Sequence, residues 1–420
     1  MVATEDRAVT MPREVWVLVG ANFVIAIGFG LVAPALPSFA RSFEVSVTAA
    51  SIVVSAFAFA RLMFAPVSGR LVTRFGERWV YLTGLSIVAV TTGACAFVDT
   101  YWQLIVLRML GGTGSTMFTV SGVALLIHLA PPTMRGRASG LWSTSFLLGN
   151  VAGPLVGGSL IMISLRAPFL VYSAALMVAV GLVWLLLRHS TKVKPFKDDS
   201  TVVFPLRQAF RDSGYRAALA SSFVNGWAVF GVRVSLIPLF ITEVLRRDGT
   251  FAGTALSVFA AANVVTLLFS GRLSDRIGRK PLVLAGLLLS AAGTSWIGFT
   301  RTVPEFLIAT VVAGLGTGIL TPPAQAAVAD VIGTARGGQV LATYQMAADV
   351  GAILGPFVAG VLADEFSFGL AFLVTGGLAV VAVLVWVPAR ETLNRGSART
   401  RRHPTPEEAV SVELPCDPAR

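Results

Sequence analysis

The chain has 420 residues, of which 55% are hydrophobic and only 13% charged, and it carries a net charge of +11. A soluble domain holds about 25% charged residues, so this composition excludes an ordinary water-soluble protein and points to bilayer lipid as the solvent. Cys95, in an apolar run, and Cys416, in a polar tail, offer no disulfide framework.

Apolar runs of about 20 residues, enough to cross a hydrocarbon core, recur twelve times. They lie near residues 15–38, 46–68, 79–98, 102–127, 138–162 and 167–187, then near 215–241, 251–271, 281–300, 304–330, 337–362 and 367–388. Backbone in lipid must satisfy its own hydrogen bonds, and runs this long do so as helices. The first run is an uncleaved helix rather than a signal peptide, because it is too long for one and eleven more runs follow. With the N-terminus cytoplasmic, only Arg41, Arg166, Arg246, Arg247 and Arg301 of the 33 basic residues fall on external loops. That is the positive-inside bias, and it explains the net charge without a nucleic-acid partner.

The expected organisation is a cytoplasmic N-terminus (1–14), a six-helix bundle (15–187), a basic cytoplasmic linker (188–214), a second bundle (215–390) and a disordered cytoplasmic tail (391–420). An internal repeat supports the two halves. Gly69-Arg70-Leu-Val-Thr73-Arg74-Phe-Gly76 returns as Gly271-Arg-Leu-Ser-Asp275-Arg276-Ile-Gly278, displaced by 202 residues, and Gly153-Pro154 returns at the same displacement as Gly355-Pro356. The fold class is therefore an all-α membrane protein of twelve transmembrane helices in two pseudo-symmetric six-helix bundles.

Several segments resemble the major facilitator superfamily. Gly271 to Lys280, with Asp275, Arg276, Gly278 and Arg279, is similar to its signature between the second and third helices, here repeated between the eighth and ninth. Arg108-Met-Leu-Gly-Gly112-Thr-Gly114 resembles its buried-arginine motif, and Gly149-Asn150-Val-Ala-Gly153-Pro154-Leu-Val-Gly157-Gly158 its antiporter motif. Gly30 to Pro37 is similar to the end of the first helix in the twelve-helix drug:proton antiporters. The resemblance covers about residues 15–390. It implies a secondary transporter exporting drugs or small amphiphilic compounds by proton antiport with alternating access. The implied partners are a small-molecule substrate, protons and lipid, with no cofactor, for a monomer in the plasma membrane with both termini cytoplasmic.

The residues carry their own reading beside this. Gly149, Gly153 and Gly157 recur every fourth position, a smooth strip that lets two helices approach closely, and Pro154 removes a backbone bond. In the repeated signature, glycine serves close approach, and the resemblance implies that Asp275 pairs with neighbouring basic residues and with a helix N-terminus across the interface of the halves, as a charged latch. Thr73 stands where the first copy needs an acid and Glu77 where a base is usual, so the latch is expected to be asymmetric. Asp330, nearer the cytoplasmic end of its run, is expected to form an interfacial pair with Arg336.

Arg61, Arg108, Arg233 and Asp349 lie inside apolar runs, where an ionised residue costs about 2.5–3.5 kcal/mol and marks a partner or a cavity. Arg108, Gly112, Ser115 and Thr119 share one face of the fourth helix. Asp349, with Gln345 a turn before it, has three open readings: a proton carrier, a permanent counter-ion to an arginine such as Arg233, or a ligand for a cationic substrate. Proton-coupling candidates are Asp349, Arg108 and Arg233. Cavity candidates are Asn22, Arg61, Ser115, Thr119, Asn150, Asn225, Asn263, Gln325 and Gln345. The excess of embedded arginine keeps open a transporter of an organic anion or metabolite, by symport or facilitated flux, and a non-transporting receptor remains a further alternative. The scattered histidines (His128, His189, His403) show no metal spacing, and no phosphate-binding glycine-lysine loop is present, so enzymatic and ATP-driven readings find no support.

Overall fold

The structure is a computed structural model that describes residues 11–131, 134–187, 204–333 and 337–393. The first six spans are α1 (Arg13–Arg41), α2 (Val47–Phe75), α3 (Glu77–Cys95), α4 (Tyr101–Leu129), α5 (Arg135–Ile161) and α6 (Ala167–Leu187). A short helix α7 (Leu206–Arg211) precedes a seventh span. That span is one rod, made of α8 (Ser213–Asn225), a π-helical segment (Gly226–Arg233) and α9 (Val234–Glu243). The last five are α10 (Thr250–Ile277), α11 (Arg279–Ile297), α12 (Val303–Ile332), α13 (Gly338–Glu365) and α14 (Phe368–Trp386). Eleven of these twelve spans are apolar and long enough to cross a membrane by composition alone. The twelfth, α3, is diluted by Glu77, Arg78 and the run Thr91-Thr92-Gly93. An even number of spans puts the described beginning of α1 and end of α14 on one side, called here the termini side.

The helices outrun the apolar runs read from sequence, mainly on the termini side. The repeated signature is helix rather than loop: residues 69–75 are the last two turns of α2, and 271–277 those of α10. Gly76 (φ 81°) and Gly278 (φ 124°) then break each helix, and the next begins at the following residue. Only glycine adopts such a backbone cheaply. A Cβ on Gly69 would meet open space and one on Gly271 only Pro322 Cβ at 4.0 Å, so the close approach expected of them is not realised.

Packing within the halves does rest on glycine. A Cβ on Gly149, Gly153 or Gly157 would lie within 2.9 Å of α1 backbone at Phe23, Ile27 and Leu31. In the second half Gly351 and Gly355 repeat this contact against Phe223 and Trp227. Lipid offers no hydrophobic drive for helix association, so small residues that bring backbones together supply it through dispersion.

The hydrophobic core shows how the halves meet. One cluster draws residues from both, from Leu18 to Val183 and from Trp227 to Phe372. Toward the termini side it divides into two separate clusters, one around Val15, Leu126 and Ala138 and the other around Tyr215, Val283 and Trp386. Hydrogen bonds agree. Among the described residues, those joining the halves are Arg41 to Glu243, Val47 and Thr48 to Asp364, Ser55 to Ile353, and Ser257 to Val151. All lie at the far side or the middle. The halves are sealed at the far side and part toward the termini.

Candidate functional site

Between the parted halves lies a cavity of about 180 Å³, lined by α1 (Phe29, Gly30, Ala33), α5, the seventh span and α10. Its polar members are Asn150, Arg233 and Asn263; the others, among them Phe146, Phe230 and Phe259, are apolar or glycine. Arg233 is 5% exposed, with its guanidinium carbon 3.7 Å from the centre of the Phe259 ring. Its Nε has no hydrogen-bond partner. Asn150 donates to the Phe146 carbonyl of its own helix at 2.9 Å.

A second polar group lies where α2, α4 and α13 meet. Arg61 donates to Ser115 Oγ at 3.4 Å, and Thr116 donates to the Arg61 carbonyl at 3.0 Å. Asp349, half-buried on α13, has Arg61 within electrostatic range. The arginine facing Asp349 is therefore Arg61 of the other half. Arg233, offered from sequence as its counter-ion, has no acidic partner among the described residues. Arg108 is buried, its guanidinium 4.3 Å from the Phe57 ring centre and its Nε unpartnered, with Cys95 and Tyr172 as electrostatic neighbours. Phe57 and Phe259 stand 202 residues apart in sequence, so related rings are each covered by an arginine from a different helix.

The remaining candidates disperse. The face of α4 bearing Arg108, Gly112, Ser115 and Thr119 turns inward, with Gly112 against the Phe57 carbonyl and Thr119 half-buried. Asn22 does not reach the cavity: its amide donates to the Trp142 carbonyl and to Ser145 Oγ, both at 2.9 Å, and ties α1 to α5. Asn225 opens the π segment with its Oδ1 buried and unpaired. Gln325 and Gln345 are exposed.

At the termini side, Asp275 does not bridge the halves. It pairs with Arg279, whose Nε reaches Asp330 at 3.1 Å and whose Nη1 reaches Ser274 at 2.6 Å. Arg336, the partner expected for Asp330, lies outside the described residues, and Arg279 takes that place. The corresponding positions of the first half are Glu77 and His128, with Oε1 and Nδ1 2.7 Å apart. The repeat thus keeps the pair and inverts its acid and base. Sequence reasoning missed Glu391, just past α14, which accepts hydrogen bonds from the Arg279 and Lys280 backbone N–H at 2.9 and 3.1 Å and caps α11. Partial burial pushes its carboxyl up, but the N–H groups of Leu393, Arg279, Lys280 and Thr392 outweigh that and hold it below its usual range.

Comparison with known proteins places this architecture. The chain is 30% identical to the class C tetracycline resistance protein of Escherichia coli, over 91% of this chain and 96% of that one. It is 24% identical to multidrug resistance protein 2 of Bacillus subtilis, over 93% and 99% respectively. The fold superposes with a TM-score of 0.76 on a bacterial homologue of the human lysosomal transporter Spinster in an inward-facing, unoccupied conformation. That match has 15% identity and covers 94% of this chain and 98% of the other. The sequence profile of the Major Facilitator Superfamily matches residues 18–245 and, a second time, 218–414. The chain belongs to the Major Facilitator Superfamily.

Proposed function

We propose that this protein exports small amphiphilic compounds, drug-like molecules among them, by proton antiport with alternating access. The observation that carries the reading is a cavity between two six-helix halves that are sealed against each other at the far side and parted at the termini side. Such a crevice binds from one side, and rocking of the halves would release to the other. The basic residues favour a cytoplasmic termini side, which makes this the loading state of an exporter in the cell membrane. The relatives named for tetracycline and multidrug resistance support the same direction.

In this reading the halves are residues 15–187 and 215–390, and one chain, holding both, works as a monomer. Asp349 carries the proton and Arg61 is its counter-charge across the crevice. Proton loss from Asp349 strengthens its attraction to Arg61, while protonation loosens α2 from α13; the coupling is thereby placed on an inter-half contact. The signature residues Gly69, Arg70, Arg74 and Gly76, with Gly271, Asp275, Arg276, Gly278 and Arg279, form the termini-side latch. It is open here, and Asp275 is held within its own half.

The test is accumulation of a compound panel in a host lacking its own pumps, with and without a protonophore. Lower accumulation that the protonophore abolishes is expected. Equal accumulation with and without the protein, for every compound, contradicts export.

A further inference from the structure

The seventh span differs from its repeat mate α1 by one residue, and the difference falls at the cavity. In the first half Gly149 packs on the Phe23 carbonyl, Gly153 on that of Ile27, and Gly30 on Pro154. In the second, Gly351 packs on the Phe223 carbonyl, Gly355 on that of Trp227, and Gly231 on Pro356. Phe23 to Gly30 is seven residues and Phe223 to Gly231 is eight, although the two sets of contacts match. The extra residue falls between Trp227 and Gly231, inside the π-helical segment. A π turn is how a helix absorbs one additional residue without losing register beyond it, and such turns gather at functional sites. Here it places Val229 beside Phe230 in the cavity wall, where α1 offers Phe29 and Gly30.

Beyond the insertion the register returns, so the mate of Arg233 is Val32, a buried apolar residue. The second half has therefore put a cation where the first has an isopropyl group. Nothing described in the protein neutralises it. A buried charge without a partner costs several kcal/mol or so in low dielectric, and intramembrane charges mark function by default. A guanidinium 3.7 Å over an aromatic ring uses its face for the ring. Its N–H donors lie in the plane of the group, in the fork that matches a carboxylate. The face is thus occupied and the edge is left for a ligand, with Asn150 and Asn263 on the same wall.

We propose that this cavity binds the anionic group of an amphiphilic substrate, a carboxylate or similar planar oxyanion on a flat apolar body, with Arg233 taking the charge and Phe29, Phe146, Val229 and Phe230 the apolar body. The proposal deepens the export reading and takes its biological meaning from it.

The test is equilibrium binding to wild type, Arg233→Lys and Arg233→Gln in lipid nanodiscs, with 2-naphthoate, neutral 2-naphthamide and 2-naphthyltrimethylammonium as probes. Wild type should bind the naphthoate about tenfold or more tightly than the other two, the scale of one charge-assisted hydrogen bond. Arg233→Gln should lower naphthoate affinity to that of the amide and leave the amide unchanged, while Arg233→Lys keeps part of the preference. Equal affinities in wild type, tightest binding of the cation, or no effect of Arg233→Gln overturns the proposal. Should the glutamine variant not fold, the three probes on wild type and Arg233→Lys decide alone. Binding is read without flux, so the two readings fail separately. Selective naphthoate binding without proton-dependent counterflow would overturn only export, whereas flux of a cationic dye without naphthoate preference would overturn only this.

Discussion

Arg41 at the end of α1 and Glu243 at the end of α9 pair with each other across the far-side seal at 3.1 Å. The pair sets a base of one half opposite an acid of the other. Both side chains are about a third exposed, at 37% and 35%, so the pair is worth about 1 kcal/mol or less.

Reversing one partner should therefore open the far side modestly, and reversing both should close it again. Arg41→Glu places two carboxylates together; adding Glu243→Arg restores the attraction. Spin-label distances between the far ends of α1 and α9 should lengthen in the single variant and return in the double. A lengthened distance in both would remove the pair from the gate.

Asp364 holds the seal more firmly. It accepts from the backbone N–H of Val47 at 2.9 Å and of Thr48 at 2.6 Å, and from the Thr48 hydroxyl. It is thus an anion at the N-terminus of α2, a favourable placement, supplied by the other half. Hydrogen bonds to a charged group contribute about 1.5–3 kcal/mol each, so Asp364→Ala should shift the far-side equilibrium more than either Arg41 variant. Accessibility of a cysteine introduced at Ser55, to a reagent added from the far side, would rise. No rise would assign the seal to packing alone.

The π segment is seated on α13 without space to spare. A Cβ on Gly226 would lie 1.9 Å from the Ala348 carbonyl oxygen, whereas one on Gly20 meets nothing within 4 Å. Gly226→Ala should lower thermal stability by an amount typical of core overpacking, about 1–3 kcal/mol. Gly20→Ala should be neutral or slightly stabilising, because alanine favours helix. Unfolding in detergent compares the two, and equal midpoints would contradict the contact.

Glu391 gives a pH dependence with a definite sign. Its carboxyl is depressed below the ordinary 4.5 when docked on α11. The docking therefore stabilises fully above that value and is lost as pH falls through the lower, docked value. Hydrogen-exchange protection of the Arg279 and Lys280 amides should exceed that of a Glu391→Gln variant at neutral pH and converge with it in strong acid. Equal protection at pH 7 would show that the cap carries no weight.

Much of this was legible in the sequence, for reasons that can be traced to residues. Lipid forces backbone into long apolar helices, which exposed the spans, and a shared displacement exposed the halves. The inward face of α4 followed from spacing alone. What stayed hidden depends on which helices touch. Asn22 was the strong polar group of its run and read as a cavity residue, yet its amide is consumed by α5. Asp349 lies 288 residues from Arg61, and no periodicity pairs them. Of the two contacts expected of Asp275, the pair with a neighbouring base is formed, by Arg279, while the one across the halves is not made with this side parted. The π insertion leaves only a one-residue drift in the repeat, visible once the glycine contacts are known.

In the proposed cycle, protons drive export through Asp349. In proteoliposomes with an imposed pH gradient, wild type should concentrate a transported compound, and Asp349→Asn should lose that concentration while still exchanging labelled for unlabelled compound in counterflow. Gradient-driven transport fully retained by Asp349→Asn would contradict it.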